Sequence, residues 1–137
     1  MTTFDALAEE GFIALTTFRK SGVGVPTTVW VGRDGDGLLV TTPRGSGKVK
    51  RLRRDPHVEM SPSGRLGKVE DDAATVHGVA EVLDDDGARE RCNAIMQEKY
   101  GLEYRVMMGI EKLGRKGDDN RVILRITQAN PTADPTA

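Results

Sequence analysis

The chain has 137 residues, 37% hydrophobic and 30% charged, which predicts one soluble globular domain over 1–137 with a core of its own. A formal charge of −1 and a single cysteine, Cys92, exclude an intrachain disulfide framework and a metal centre built on several thiolates. No apolar run approaches the roughly 18 residues needed to span a bilayer, so no membrane partner is expected.

Acids at Asp5, Glu9 and Glu10 occupy the stretch where a secretory signal would carry bases, and a lone thiol suits a reducing compartment. The expected location is the cytoplasm. The small net charge hides an asymmetry. Residues 1–68 carry 11 Lys/Arg against 7 Asp/Glu, and residues 69–137 carry 9 against 14. Most of the positive excess lies between Arg44 and Arg54, where six basic residues meet no acid. That local run is the clue to a partner.

In chain order, Thr3 to Glu10 predicts a short helix that Thr3 caps and Gly11 stops. Phe12–Phe18 has strand composition, and Arg19–Gly22 makes a polar turn. A second strand is predicted over Val23–Val31, with Pro26 arguing for an edge or a bulge. Arg33–Gly37 is a hairpin loop of the Asp-Gly type, and Leu38–Thr42 is the third strand. These three strands predict an antiparallel meander.

Ser46–Arg54 then fits a short helix anchored by Val49 and Leu52 on one face, and Asp55-Pro56 closes it. His57–Ser61 alternates as a fourth strand. Residues 61–72 read as a loop, and Ala74–Leu83 alternates as a fifth strand. The acids of Asp84–Asp86 suit the start of a helix that runs to Tyr100 and stops at Gly101. A shorter helix covers Glu103–Lys112, and Arg121–Thr127 is the last strand. The tail from residue 128 is predicted to fray. Six antiparallel strands with short helices predict a mainly β fold, most simply a barrel, because closure removes exposed edges.

The segment Thr41–Lys48 is the candidate anion site. It lies where a strand gives way to a helix, and the first backbone N–H groups of a helix lack internal partners. Gly45 and Gly47 allow close approach to the backbone. Thr41, Thr42 and Ser46 offer hydroxyl donors, Lys48 adds a charge, and Arg51 lies on the same helical face as Lys48. The same residues are also compatible with an ordinary N-cap at Ser46 followed by a solvated basic face. The Walker spacing is absent, and no parallel βαβ unit supports a dinucleotide fingerprint.

The run Ser46-Gly-Lys-Val-Lys-Arg-Leu-Arg-Arg-Asp-Pro-His-Val58 resembles the segment after the third strand in the pyridoxamine 5′-phosphate oxidase-like split β-barrel superfamily. Thr28-Val-Trp30, Ser46-Gly-Lys48 and Arg54-Asp-Pro56 together resemble its deazaflavin-dependent branch. The resemblance covers roughly residues 10–83. It implies a six-stranded antiparallel split β-barrel of the FMN-binding type. It also implies a cofactor phosphate held by Ser46 and Lys48 and a ring lined by Thr27, Thr28, Val29 and Trp30. Thr41, Thr42, Gly47 and Arg51 complete the expected cofactor set. Flavin-type members often carry Arg where this chain has Gly47, which turns the expectation toward F420, with FMN as the alternative. The chain lacks the C-terminal Arg-x-His-like motif of true pyridoxamine phosphate oxidases, so oxidation of vitamin B6 is not expected. The resemblance further implies a homodimer with the cofactor between subunits.

The expected function is hydride transfer between F420 and an unsaturated small organic substrate, with the cofactor carrying the chemistry and no side chain assigned as acid or base. A non-catalytic flavin or deazaflavin carrier would use the same site. Nucleic-acid binding through Arg44–Arg54 is disfavoured by a pI near 6.1 and by the scarcity of aromatics for stacking. His57 and His77 are the only histidines. Neither has a His, Cys, Asp or Glu at metal-ligand spacing in the sequence, so no metal centre is predicted. Trp30, the only tryptophan, suits a core position as well as the ring site.

Overall fold

The computed structural model describes residues 4–64, 75–106 and 121–129. Three helices, α1 (Phe4–Leu7), α2 (Gly47–Arg54) and α3 (Asp86–Tyr100), accompany seven strands. These are β1 (Phe12–Phe18), β2 (Gly24–Val29), β3 (Gly32–Asp34), β4 (Gly37–Pro43), β5 (His57–Ser63), β6 (Val76–Leu83) and β7 (Arg121–Gln128). They form one antiparallel sheet in the order β2-β1-β5-β6-β7-β4-β3. The two outermost strands, β2 and β3, are consecutive in the chain. A single stretch therefore supplies both edges, and the sheet must curl for it to do so.

The predicted second strand ends at Val29, and a further strand, β3, falls mostly on residues read as the Arg33–Gly37 loop, so the described residues hold seven strands where six were expected. The break falls at Trp30 and Val31, which are both buried. Alternation cannot bury two successive side chains on one face, so the chain turns there and the meander is interrupted. Among the described residues β2 pairs only with β1, and β3 pairs only with β4. Side chains from the end of α3 satisfy the backbone at the break. The Val31 N–H donates to the Tyr100 hydroxyl at 3.1 Å, and the Val31 carbonyl accepts from Lys99 Nζ at 2.7 Å. Lys99 Nζ also donates to the carbonyls of Ala8 (2.8 Å) and Glu10 (2.7 Å), which spends all three ammonium protons on backbone.

The concave face of the curled sheet holds the main core. Ile13, Leu15, Val40, Val58, Met60, Leu124 and Ile126 meet there, with Phe4 and Leu7 of α1 and Leu52 of α2. Val49 and Leu52 are buried, as their shared face predicts. On the convex side, α3 covers Trp30, Leu39 and Ile123 with Cys92 and Met96. Strands β4 and β7 are buried on both faces for this reason, and their sequences run apolar without alternation.

The punctuation follows the residues that predicted it. Gly35 has φ 60° in the two-residue turn between β3 and β4. Asp85 caps α3 by accepting from the Ala88 N–H at 3.0 Å, and Gly101, at φ 63°, ends it. A helical turn follows at 102–106. The remainder of the helix predicted to Lys112, the Thr3 cap, most of the 61–72 loop and nearly all of the tail lie outside the described residues. The last strand extends to Gln128, where fraying was expected to begin. The architecture is a split β-barrel.

Candidate functional site

A cleft of about 300 Å³ opens where edge strand β2, the ends of β4 and β7, the start of α2 and the turn at 102–106 come together. One part is aromatic, from Phe12, Trp30 and Tyr104. Trp30 is only 9% exposed. Its ring stacks on Tyr100 (centroids 4.7 Å apart, planes 16°), lies 5.5 Å from Tyr104 and meets the edge of Phe12 at 6.3 Å. It is therefore both a core aromatic and a wall of the cleft. Thr28 and Val29 of β2 adjoin it. Among the described strands β2 has a neighbour on one side only, so every second residue presents backbone N–H and C=O groups that none of those strands pairs.

The other part is polar and cationic, from Thr41, Thr42, Lys48 and Arg121. Arg121 lies across β4–β7 from Pro43. Its guanidinium donates to Thr41 Oγ1 at 2.9 Å and to the Thr41 carbonyl at 3.0 Å. Those bonds hold it against the cleft wall. No carboxylate is among the described lining residues. Burial, then the positive charges of Arg51 and Arg121, holds the Lys48 ammonium below its ordinary pKa.

The start of α2 stands beside this cationic part. Ser46 is extended (φ −70°, ψ 157°) as an N-cap, yet its side chain makes no capping hydrogen bond. Its hydroxyl instead lies 3.5 Å from Thr42 Oγ1. Gly47 leaves a space that the Arg51 guanidinium occupies. A Cβ on residue 47 would stand 2.7 Å from an Arg51 terminal nitrogen. Arg51 is steadied by donating to Thr17 Oγ1 at 2.6 Å. The guanidinium over the helix start thus comes from one turn further along.

Of the residues predicted from sequence, Thr28, Val29, Trp30, Thr41, Thr42 and Lys48 line one cleft. Ser46 and Gly47 stand at the adjoining helix start, with Arg51 folded over them. Thr27 is not brought in. Alternation turns it to the other face of β2 from Thr28, where its hydroxyl donates to the Leu15 carbonyl at 3.4 Å. Val29 packs against the barrel core even as it borders the cleft.

Phe12, Tyr104 and Arg121 are lining residues that sequence reasoning missed. Phe12 was within reach, since the β1–β2 hairpin pairs Ile13 with Val29 and so sets Phe12 beside Trp30. Tyr104 and Arg121 arrive from distant segments and carry no local signal. The basic run does not form one patch. Arg44 pairs with Asp84 at 2.8 Å, Arg54 donates to the Phe18 carbonyl at 2.6 Å, and Lys48 enters the cleft. Away from the cleft, β5–β6 pairing brings His57 and His77 together, which their separation in sequence hides.

A curled antiparallel sheet with an aromatic and cationic cleft at its edge defines the split-barrel class of folds. The model of the pyridoxamine 5′-phosphate oxidase family matches residues 3–130, and the chain belongs to that family. Solved structures with the same fold include a conserved hypothetical protein of Mycobacterium tuberculosis (24% identity, 92% of this chain and 78% of that chain covered, TM-score 0.68). An F420 reductase is similar at 18% identity over 93% of this chain and 94% of that one, with TM-score 0.61. The heme storage protein HutZ of Vibrio cholerae is similar at 15% identity over 90% and 85%, with TM-score 0.65. At these identities the likeness is one of fold. Among curated proteins there is no significant match.

Proposed function

We propose that this protein is an F420-dependent oxidoreductase whose cofactor lies in the cleft between Trp30 and Lys48. The observation that carries the reading is the composition of that cleft. Two cations and two threonine hydroxyls stand against an aromatic wall, with no carboxylate among the described lining residues. F420 and FMN both join a planar ring system to a phosphate, and the two parts of the cleft suit those two chemistries. Family membership and the fold shared with an F420 reductase support the same direction.

In this reading Lys48, Ser46 and the α2 N–H groups hold the phosphate, and Arg51, filling the space over Gly47, adds a second charge. Arg121 orients Thr41 and contributes to the positive potential. Thr28, Val29 and Trp30 receive the ring, and the outward backbone groups of β2 meet its polar edge. When bound, F420 in its reduced form would supply a hydride to an unsaturated small organic substrate. The chain contributes position, positive potential and exclusion of water by the Phe12–Trp30–Tyr104 wall. No side chain is assigned as acid or base.

We also propose a homodimer, in which a second copy closes the open side of the cleft. Leu102 and Val106, 72% and 51% exposed and one turn apart, share the outer face of the turn whose inner face carries Tyr104, and offer an apolar surface for it. The reading is tested by fluorescence titration of the purified protein with oxidised and reduced F420 and with FMN, beside light scattering at micromolar concentration. Tighter binding of F420 than of FMN is expected, followed by turnover with a panel of unsaturated acceptors. Preference for FMN would reassign the cofactor, tight binding without turnover would make the protein a carrier, and binding of neither would overturn the reading. A monomer would remove the dimer.

A further inference from the structure

The two histidines and Glu59 meet on the convex face of the sheet, away from the cleft. Antiparallel pairing of β5 with β6 sets Glu59 directly opposite His77, and His57 opposite Val79. Val58 and Met60 point into the barrel core, so the intervening His57 and Glu59 share the outer face. All three side chains are half-buried. One ligand atom of each lies within 4.8 Å of those of the other two.

The separation of the two rings is informative. His57 Nε2 and His77 Nδ1 are 3.4 Å apart. That exceeds the usual range for a nitrogen-donor hydrogen bond, about 2.7–3.2 Å, so the contact is a weak one as it stands. A tetrahedral zinc ion with Zn–N bonds of about 2.0–2.1 Å has ligand–ligand edges of about 3.4 Å. The two nitrogens therefore already stand at the spacing of adjacent ligands on one ion.

The neighbours hold this arrangement. The Phe18 ring stacks on His57 (centroids 5.4 Å, planes 25°), and His77 stacks on it from the next strand (5.3 Å, 24°). The His57 backbone N–H donates to Asp55 Oδ1 at 3.1 Å, which fixes the strand start. Among the described residues no Lys or Arg pairs with Glu59. Because χ2 of an imidazole is a soft torsion, each ring can turn out of its stack to aim a lone pair at an ion.

We propose that His57, Glu59 and His77 form a binding site for a divalent transition-metal ion of the zinc class, with water completing the coordination. Two neutral imidazoles and one carboxylate are a borderline-soft donor set that such ions prefer over magnesium or calcium. The site is distinct from the cofactor cleft. Thr17, which holds Arg51, and Phe18, which stacks on His57, are successive residues of β1 and so point to opposite faces of the sheet. An ion here would clip β5 to β6 and raise the resistance of the sheet to unfolding.

The test uses the full chain without an affinity tag, stripped with a chelator. Competition with a chromophoric chelator should report one Zn²⁺ per chain, and Co²⁺ should develop visible d–d bands. His57→Gln, Glu59→Gln and His77→Gln should each weaken binding by more than the roughly 10–100-fold that loss of a supporting contact costs. In the unsubstituted protein, Zn²⁺ should shift the imidazole nitrogen resonances of both histidines, a readout that does not depend on how the variants fold. Substoichiometric binding, equal binding by a His57→Gln/His77→Gln double variant, or unmoved imidazole resonances would each overturn the proposal.

Discussion

Lys48 offers the most direct perturbation of the cleft. Replacing it with Met keeps most of its volume and removes its charge. A charge-assisted hydrogen bond contributes about 1.5–3 kcal/mol, which is roughly 10–150-fold in Kd. The cofactor phosphate should therefore bind Lys48→Met that much more weakly. The unliganded protein should lose no stability, because burial and the like charges of Arg51 and Arg121 already oppose the ammonium. The two readouts should thus separate, with affinity falling and the thermal midpoint holding or rising. A pH titration adds a sign. In the free protein Lys48 is held below its ordinary pKa, and a bound anion raises it again, so affinity should decline as pH rises through the depressed value. That decline should vanish in Lys48→Met. Fluorescence titration with F420 and FMN at fixed salt measures both effects. An affinity within twofold of the parent, with the same pH dependence, would refute the phosphate assignment.

Other outcomes follow from the frame around the cleft. Lys99→Met removes the ammonium from the carbonyls of Ala8, Glu10 and Val31, of which Val31 keeps the Tyr100 hydroxyl at 3.0 Å, and should cost about 1.5–3 kcal/mol in urea denaturation, with the midpoint moving and the slope unchanged. Gly78→Ala brings a Cβ to 2.8 Å from Ile126 Cγ2, 2.9 Å from Met60 Cε and 3.0 Å from the Thr127 carbonyl. The Met60 end can yield but the other two cannot, so a loss of about 1–3 kcal/mol is expected by the same assay. Asp34, bonded first by Arg91 and then by Arg125, and Asp84, bonded by Arg44 and Arg89, are both held below the ordinary carboxylate range. Their contributions are present above about pH 4 and fade as pH falls toward the folded values, so the urea midpoint should stay level down to that point and drop below it, less steeply in Asp34→Asn. Burial pushes the Cys92 thiol up to about 12. It should resist a disulfide reagent at pH 8 in the native protein and react fully once unfolded; rapid native labelling would refute its burial.

Much of the fold is legible in the chain because its signals are local. The Asp-Gly turn, the Gly101 stop, the Asp-Pro closure of α2 and the shared face of Val49 and Leu52 each depend on residues within a few positions of one another. The strand-to-helix junction at Thr41–Lys48 is legible for the same reason, as is the extended conformation of Thr28 and Val29. The break after β2 and the extra strand β3 were not, since Tyr100 and Lys99 supply the backbone partners at the break from some 70 residues away.

The sequence by itself determined the class of fold, the helix start that offers its donors and the lysine beside it. Local geometry is dictated by neighbours along the chain. Only the tertiary structure decided that Arg51 fills the space Gly47 leaves, that Arg121 and Tyr104 complete the cleft, and that Thr27 stays out of it. It alone joined His57, Glu59 and His77. Those relations are set by strand register and by the direction of each side chain off the sheet. Both arise when segments far apart in the chain share one core, so no window of sequence contains them.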